Sequence, residues 1–258
     1  MNEAWSLPHD WIVPAWPRPA KVRALMTTRN GGISRGAWGG ANGGGMNLGT
    51  GSGDDLDAVA RNRAMLASHL PGQPAWLQQV HGAAVVDAAA VPAGTRADAS
   101  FSVLPGVVCA ILVADCMPVL FTDRSGSRVA AAHAGWRGLV GGVLEATLSA
   151  SGLRPDETLA WIGPAIGPSR FEVGDDVRDA FLAAADADAA SVAACFRPHV
   201  AGKWWADLPG LARRRLAVLG VDAVFASGLC TASDAQRFYS YRRDGLTGRM
   251  AALIWIDH

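Results

Sequence analysis

Residues 107–138 read VVCAILVADCMPVLFTDRSGSRVAAAHAGWRG, and the alternation of apolar runs with short polar breaks in this stretch sets the fold class. Val107 to Ala114 is unbroken apolar sequence, far too short to span a bilayer, and it predicts a buried strand. After a break, Pro118-Val119-Leu120-Phe121 reads as its continuation, and Arg128 to Ala132 reads as another strand. That strand runs into a glycine-rich turn and then a helix carrying Leu139, Val143, Leu144, Thr147 and Leu148 at helical spacing. The helix ends near Gly152 and Pro155.

Working outward, Trp76 to Val80 and Ala84 to Asp87 read as short strands broken at His81-Gly82. Asp54 or Asp55 can cap a helix with Leu56, Val59, Arg63 and Leu66 on one face. Downstream, Leu159 to Ile162 reads as a strand, and Asp175 caps a helix running through Ala185. Asp207, with Pro209 behind it, opens a helix ending at Gly220, and Val221–Ala226 and Met250–Ile256 read as closing strands. Strands and helices mix without a strict βαβ rhythm, so an α/β or α+β sandwich is expected rather than a barrel. No repeat or linker divides the 258 residues, and one domain over residues 1–258 is expected.

Lys plus Arg equals Asp plus Glu at 23 each, so no global field favours nucleic acid or an anionic membrane. The amino terminus, MNEAWSLPHDW, lacks a basic start followed by an apolar stretch, and no secretory signal is expected. Four cysteines, Cys109, Cys116, Cys195 and Cys230, form no CxxC pair, which fits a reducing, cytoplasmic setting. Eleven of the residues from 31 to 53 are glycine, so no regular helix or strand runs through them. Such a segment reads either as a surface loop or as bare backbone that closes over a ligand.

Three motifs stand where apolar strands stop: QQVHG at 78–82, ADCMP at 114–118 and HAGWRG at 133–138. Each offers one soft or borderline ligand, His81, Cys116 and His133. Two imidazoles and a thiolate suit zinc, with a fourth position open for water or substrate. Taken singly, a lone Cys or His is more often a core or surface residue. The other histidines, His9, His69, His199 and His258, are poorer ligands by position. HAGWRG doubles as a strand-to-helix turn that could hold an anion beside Arg137, or serve as a plain glycine turn. Arg242 and Arg243 beside Tyr239 and Tyr241 offer a phosphate and base contact or a solvated hairpin, and Arg29 raises the same choice.

From about Met26 to Met250 the chain resembles the laccase-domain family, long labelled multicopper polyphenol oxidase and now regarded as purine nucleoside phosphorylase. The motifs that carry the resemblance are TTRNGGIS, MNLG, QQVHG, ADCMPVLF, HAGWRG, IGPAIG with FEVG, and CTASDAQRFYSYRRDGLTGRMAA. The glycine segment GAWGGANGGGMNLG is longer than the family's common form. The resemblance implies a single layered α/β/β/α sandwich and a zinc site made by His81, Cys116 and His133. It implies phosphorolysis of adenosine, inosine, guanosine and methylthioadenosine, with deamination of adenosine. Asp115 is expected beside the metal ligands in catalysis, and Asp115 or Glu172 as the proton-shuttling carboxylate. Asn47, Gln79, Glu172 and Tyr239 join Arg29, Arg137, Arg242 and Arg243 as expected contacts to purine nucleoside and phosphate. A monomer or small homo-oligomer is expected, with no nucleic-acid or membrane partner.

Three other readings use the same residues. Copper oxidase chemistry would add Met117 to the ligands, but Cys116 and Met117 are sequential and the chain has six histidines with no HxH pair. A Cys116–His133 hydrolase would act on an amide of a peptidoglycan precursor, a role to which a bacterial branch of the family is linked. A metal-dependent binding protein without turnover is the fourth.

Overall fold

A computed structural model describes residues 10–92, 94–185 and 188–258; the amino-terminal stretch 1–9, where the absence of a signal was expected and where His9 falls, lies outside the described residues. Numbered along the chain, the strands gather in three sheets. One orders β1 (Val22–Met26), β14 (Met250–Ile256), β6 (Val108–Val113) and β3 (Pro74–Ala75). The largest orders β13 (Ala223–Ala226), β9 (Thr158–Ile162), β7 (Met117–Asp123), β8 (Val129–Ala134), β5 (Ala99–Ser102) and β4 (Val85–Asp87). A small sheet orders β10 (Glu172–Gly174), β12 (Lys203–Ala206) and β11 (Phe196–Pro198), while β2 (Asn30–Ser34) bridges Gly45.

Period-two packing with both faces covered explains why β6 is apolar on every residue. In β6, Cys109, Ile111 and Val113 enter a core shared with Leu120, Val129, Ala131, Leu159 and Trp161 of the largest sheet. The alternate residues Val108 and Ala110 face Leu66 of helix α1 (Leu56–Ala67). On its outer face the largest sheet presents Met117, Val119, Phe121, Ala130 and Ala132 to a second helical layer. That layer comprises α2 (Trp136–Val140), α3 (Val143–Ser151), α4 (Asp175–Ala183), α5 (Ala189–Ala193) and α6 (Leu208–Val218), while α7 (Tyr241–Asp244) is a single turn. The expected α/β/β/α sandwich is therefore the fold.

Several expectations need correction. Pro118–Phe121 does not continue the strand before it: β6 and β7 belong to different sheets, and the chain changes sheet between Val113 and Met117. Trp76–Val80 is not a regular strand, since β3 stops at Ala75 and only Gln78 forms a bridge, to Arg96. The helix through Leu139 and Leu148 is two helices, because Gly142 takes a left-handed φ of 85° between them. Gly174, not Asp175, occupies the cap position of α4, which ends at Ala183. Asp55 caps α1 and Asp207 caps α6 through their side chains, as expected. Among the described residues, no helix is long and apolar enough to cross a membrane.

The β7–β8 turn hangs on one carboxylate. Asp123 accepts hydrogen bonds from the Ser127 and Arg128 amides at 2.7 and 3.3 Å and from the Ser125 and Ser127 hydroxyls. Burial alone would raise its pKa, but these donors outweigh it and hold the group below its usual 3.8. A depressed folded pKa gives stability that is complete above the unfolded value and is lost as pH falls through the folded one. Asp123→Ala should cost about 2–3 kcal/mol in urea unfolding at pH 7, and the gap to wild type should narrow below about pH 4. An unchanged gap at pH 2–3 would contradict this account.

Candidate metal centre

Three chain segments meet at one rim of the sandwich. Cys116 sits at the sheet change, His133 near the end of β8, and His81 in the turn before β4. Their ligand atoms all lie within 4.8 Å of one another, with Cys116 Sγ 3.8 Å from His81 Nε2. The two imidazole rings stand 4.8 Å apart at an angle of 68°. Among described residues other than glycine, His81 and Asp115 alone have positive φ, 61° and 90°; the first belongs to this cluster and the second precedes Cys116. Backbone held in sparsely populated regions has to be fixed by its surroundings.

Asp98 does much of that fixing. Its Oδ1 accepts from His133 Nδ1 at 2.8 Å and from the His81 amide at 2.9 Å. Its Oδ2 accepts from the Val80 and Gly82 amides at 3.1 and 2.7 Å. One buried carboxylate thus orients one imidazole and holds the strained turn that carries the other. Burial would raise the Asp98 pKa, but the His133 and amide hydrogen bonds lower it below the usual carboxylate range. With Nδ1 bound to Asp98, His133 turns Nε2 toward the cluster.

Burial pushes the Cys116 thiol up, yet hydrogen bonds from His133 and His81 pull it down to about 6. Burial also opposes charge on His133, but Asp98 and Cys116 raise it to about 9. The cluster is therefore poised as thiolate and imidazolium, and a metal entering it displaces a proton. Gly135 keeps the ligands unhindered, since a Cβ there would lie 3.0 Å from Cys116 Sγ and 3.2 Å from His81 Cδ2 and press on both. Met117 is wholly buried in the core under the helical layer, away from the cluster.

The cluster lines a cavity of about 890 Å³. Of the residues expected to touch substrate, Gln79, Asp115, Arg137 and Arg242 line it too. Gln79 also ties down β6, through Leu112 N and O at 2.7 and 2.8 Å. Both Asp115 oxygens are taken, by Thr231 Oγ1, Ser240 Oγ and the Arg242 amide, so Asp115 clamps the sheet change to the chain around α7.

The remaining expected contacts lie outside the lining. Arg29 donates to the Gly39 and Ala235 carbonyls, and buried Tyr239 donates to the Trp38 carbonyl. Arg243 donates to Phe238 O and Thr231 O, and the Glu172 carboxylate lies 3.3 Å from His199. Asn47 bonds Ser52, Asp54 and the Gly49 and Arg249 amides, and together with Asn62 it pegs the glycine segment. That leaves residues 49–52 facing the cavity.

Asp98, Arg63 and Arg249 escaped the sequence reading. Asp98 left a usable signal, a lone acid between alanines where a buried strand starts. Aromatic walls from Trp76, Trp136, Phe171 and Tyr241 complete the cavity.

The sequence model of a family described as multi-copper polyphenol oxidoreductase laccase matches residues 23–257. A Pseudomonas aeruginosa protein named purine nucleoside phosphorylase is 53% identical over 249 residues, covering 96% of this chain and 98% of that protein. The Escherichia coli purine nucleoside phosphorylase YfiH is 50% identical over 248 residues, 95% of this chain and 98% of its own. The crystal structure of Neisseria meningitidis protein NMB0706 superposes with a TM-score of 0.89 at 48% identity, covering 97% of this chain and 100% of that one.

Asp98→Asn keeps the shape but loses the charge that holds His133. It should weaken metal binding about 10–100-fold, measured by competition with a chromogenic chelator. Affinity equal to wild type in a folded variant would show that Asp98 does not orient the ligands.

Proposed function

The chain belongs to the family described as multi-copper polyphenol oxidoreductase laccase, and from that premise we propose that it is a zinc-dependent purine nucleoside phosphorylase that also deaminates adenosine. The observation that carries the reading is the opening of a His-Cys-His cluster onto a cavity with aromatic walls and arginines. His81, Cys116 and His133 would hold the metal. The donor set fits zinc: two imidazoles and a thiolate already lowered to about 6, with one imidazole fixed by a carboxylate. When bound, zinc supplies Lewis acidity at the open fourth position. Copper fits less well, because Met117 lies in the core and adds no thioether to the cluster.

In phosphorolysis a phosphate oxygen forms a bond to C1′ as the bond from C1′ to the purine nitrogen breaks. The electron pair leaves with the purine, which takes up a proton. Guanidinium groups hold the phosphate and aromatic faces hold the base, so the two partners meet in one orientation. Deamination replaces the C6 amino group with the oxygen of water and releases ammonia. Both Asp115 oxygens accept hydrogen bonds, from Thr231, Ser240 and the Arg242 amide, so Asp115 orders the turn beside the cluster rather than carrying the proton. Four free cysteines accord with a cytoplasmic enzyme, acting as a monomer or small homo-oligomer.

One observation favours a second reading. The lowered Cys116 pKa also suits a thiolate attacking an amide carbonyl, with His133 protonating the departing amine. A cell-wall peptide is the substrate class that reading takes.

Metal analysis with product analysis separates the two. The zinc reading requires near-stoichiometric zinc, adenine and ribose 1-phosphate from adenosine only when phosphate is present, and inosine without it. His81→Ala should lose both zinc and turnover. Chelator-resistant amide cleavage abolished by thiol alkylation would transfer the assignment to the hydrolase, and a blue copper protein that oxidises phenols would transfer it to the oxidase.

A further inference from the structure

Four arginines line the cavity, Arg63, Arg137, Arg242 and Arg249, and none forms an ion pair among the described residues. They divide by exposure. Arg137 and Arg242 are exposed at the mouth, Arg137 lying over Trp136 and Arg242 donating to the Glu172 carbonyl. Arg63 and Arg249 are half-buried, and burial lowers the pKa of both. A guanidinium withdrawn from water without a carboxylate partner is an unmet demand for an anion.

The two inner arginines are built into one wall. Arg63, on α1, donates through Nε to the Leu48 carbonyl at 2.9 Å and stacks its guanidinium 4.3 Å from the Trp76 ring. Arg249 donates through Nη1 to the Thr247 and Gly248 carbonyls, and its backbone amide is held by Asn47 Oδ1 at 2.8 Å. Both Arg63 Nη atoms, and Arg249 Nε and Nη2, have no acceptor among the described residues. The same Asn47 oxygen holds the Gly49 amide, and the Arg249 stem packs so close to Gly49 that a Cβ there would sit 2.6 Å from its Cγ. The loop 49–52 beside them lines the cavity, and the Thr50 and Gly51 amides have no acceptor among the described residues. Arg249 is also close enough to Cys116 and Asp115 for their charges to act on it. The wall therefore adjoins the metal centre.

We propose that Arg63 and Arg249, with the Thr50 and Gly51 amides, form the binding site for inorganic phosphate, while Arg137 and Arg242 guard the mouth. Two forked guanidinium groups and a pair of backbone amides match a tetrahedral dianion, and the partial burial of Arg63 and Arg249 strengthens their contacts relative to the exposed mouth arginines. The assignment rests on the phosphorylase reading only for which oxyanion is the natural occupant. It explains the glycine at 49, which lets the arginine stem cross the loop, and the length of chain spent pegging residues 45–52.

The test titrates inorganic phosphate into the metal-loaded full-length protein by calorimetry, alongside phosphate dependence of adenosine cleavage. Arg249→Gln and Arg63→Gln should each weaken phosphate about 10–100-fold and raise its KM alike, with metal content and adenosine KM close to wild type. Arg61→Gln, an exposed position on the same helix, should leave phosphate binding unchanged. Should Arg249→Gln fail to fold, Arg63→Gln carries the test. Wild-type phosphate affinity in the folded inner variants, or no phosphate binding by the wild type, overturns the site. Arginine-dependent phosphate binding without nucleoside cleavage upholds the site and removes the phosphorylase reading. Phosphate-dependent cleavage with unchanged phosphate KM in both variants keeps that reading and removes the site.

Discussion

The chain leaves one sheet at Val113 and enters the other at Met117, and the two sheets can face each other only if the backbone turns within that interval. Asp115 makes the turn at a φ of 90°, a conformation that costs of order 1–3 kcal/mol outside glycine. The cost is met by its side chain, which gathers Thr231, Ser240 and the start of α7 onto the same corner. Both sheets contribute to the apolar layer between them, so the turn cannot relax without shearing that core. Cys116 is the next residue. Its placement thus follows from the packing of the two sheets on each other.

A rim built this way still needs its other ligands brought to it. His133 arrives on β8, whose small residues Ala130 and Ala132 let the helical layer pack closely on the sheet. His81 arrives on a turn with no regular strand before it, and Asp98 supplies the order that sheet pairing does not. The same carboxylate sets the His133 tautomer, so the two imidazoles are coupled through one charged group rather than through the fold at large. Rigid strands give Cys116 and His133 their positions, and a hydrogen-bonded turn gives His81 its position.

Much of this was legible in the residues. The apolar run 107–114 and the alanine-rich strand before HAGWRG announce an α/β sandwich, and the strand ends offer His81, Cys116 and His133 as ligand types, while their convergence on one site was legible only through the family resemblance. What sequence hides is sheet membership. Period-two burial looks the same on either side of the sandwich, so nothing in 107–121 tells a continued strand from a change of sheet. Sequence also hides the direction in which a polar residue spends itself. Arg29, Asn47, Tyr239 and Arg243 sit in motifs that read as binding loops, yet their hydrogen bonds go to the chain itself: carbonyls for Arg29 and Tyr239, Ser52, Asp54 and two amides for Asn47, and carbonyls with Asp244 for Arg243.

That distinction separates holding residues from contacting residues across the whole cavity. A motif arginine whose nitrogens are shared among carbonyls has little left for a ligand, as with Arg243. An arginine tethered at one nitrogen, as Arg63 is, has been positioned rather than spent. The glycine segment belongs to the same division of labour. Asn47 and Asn62 occupy its amides and carbonyls from 45 to 49, and the chain is released from these pegs only at the tip that faces the metal centre. A flexible composition is thereby converted into a fixed wall, and the unsatisfied donors left on that wall are the groups with capacity for an incoming anion.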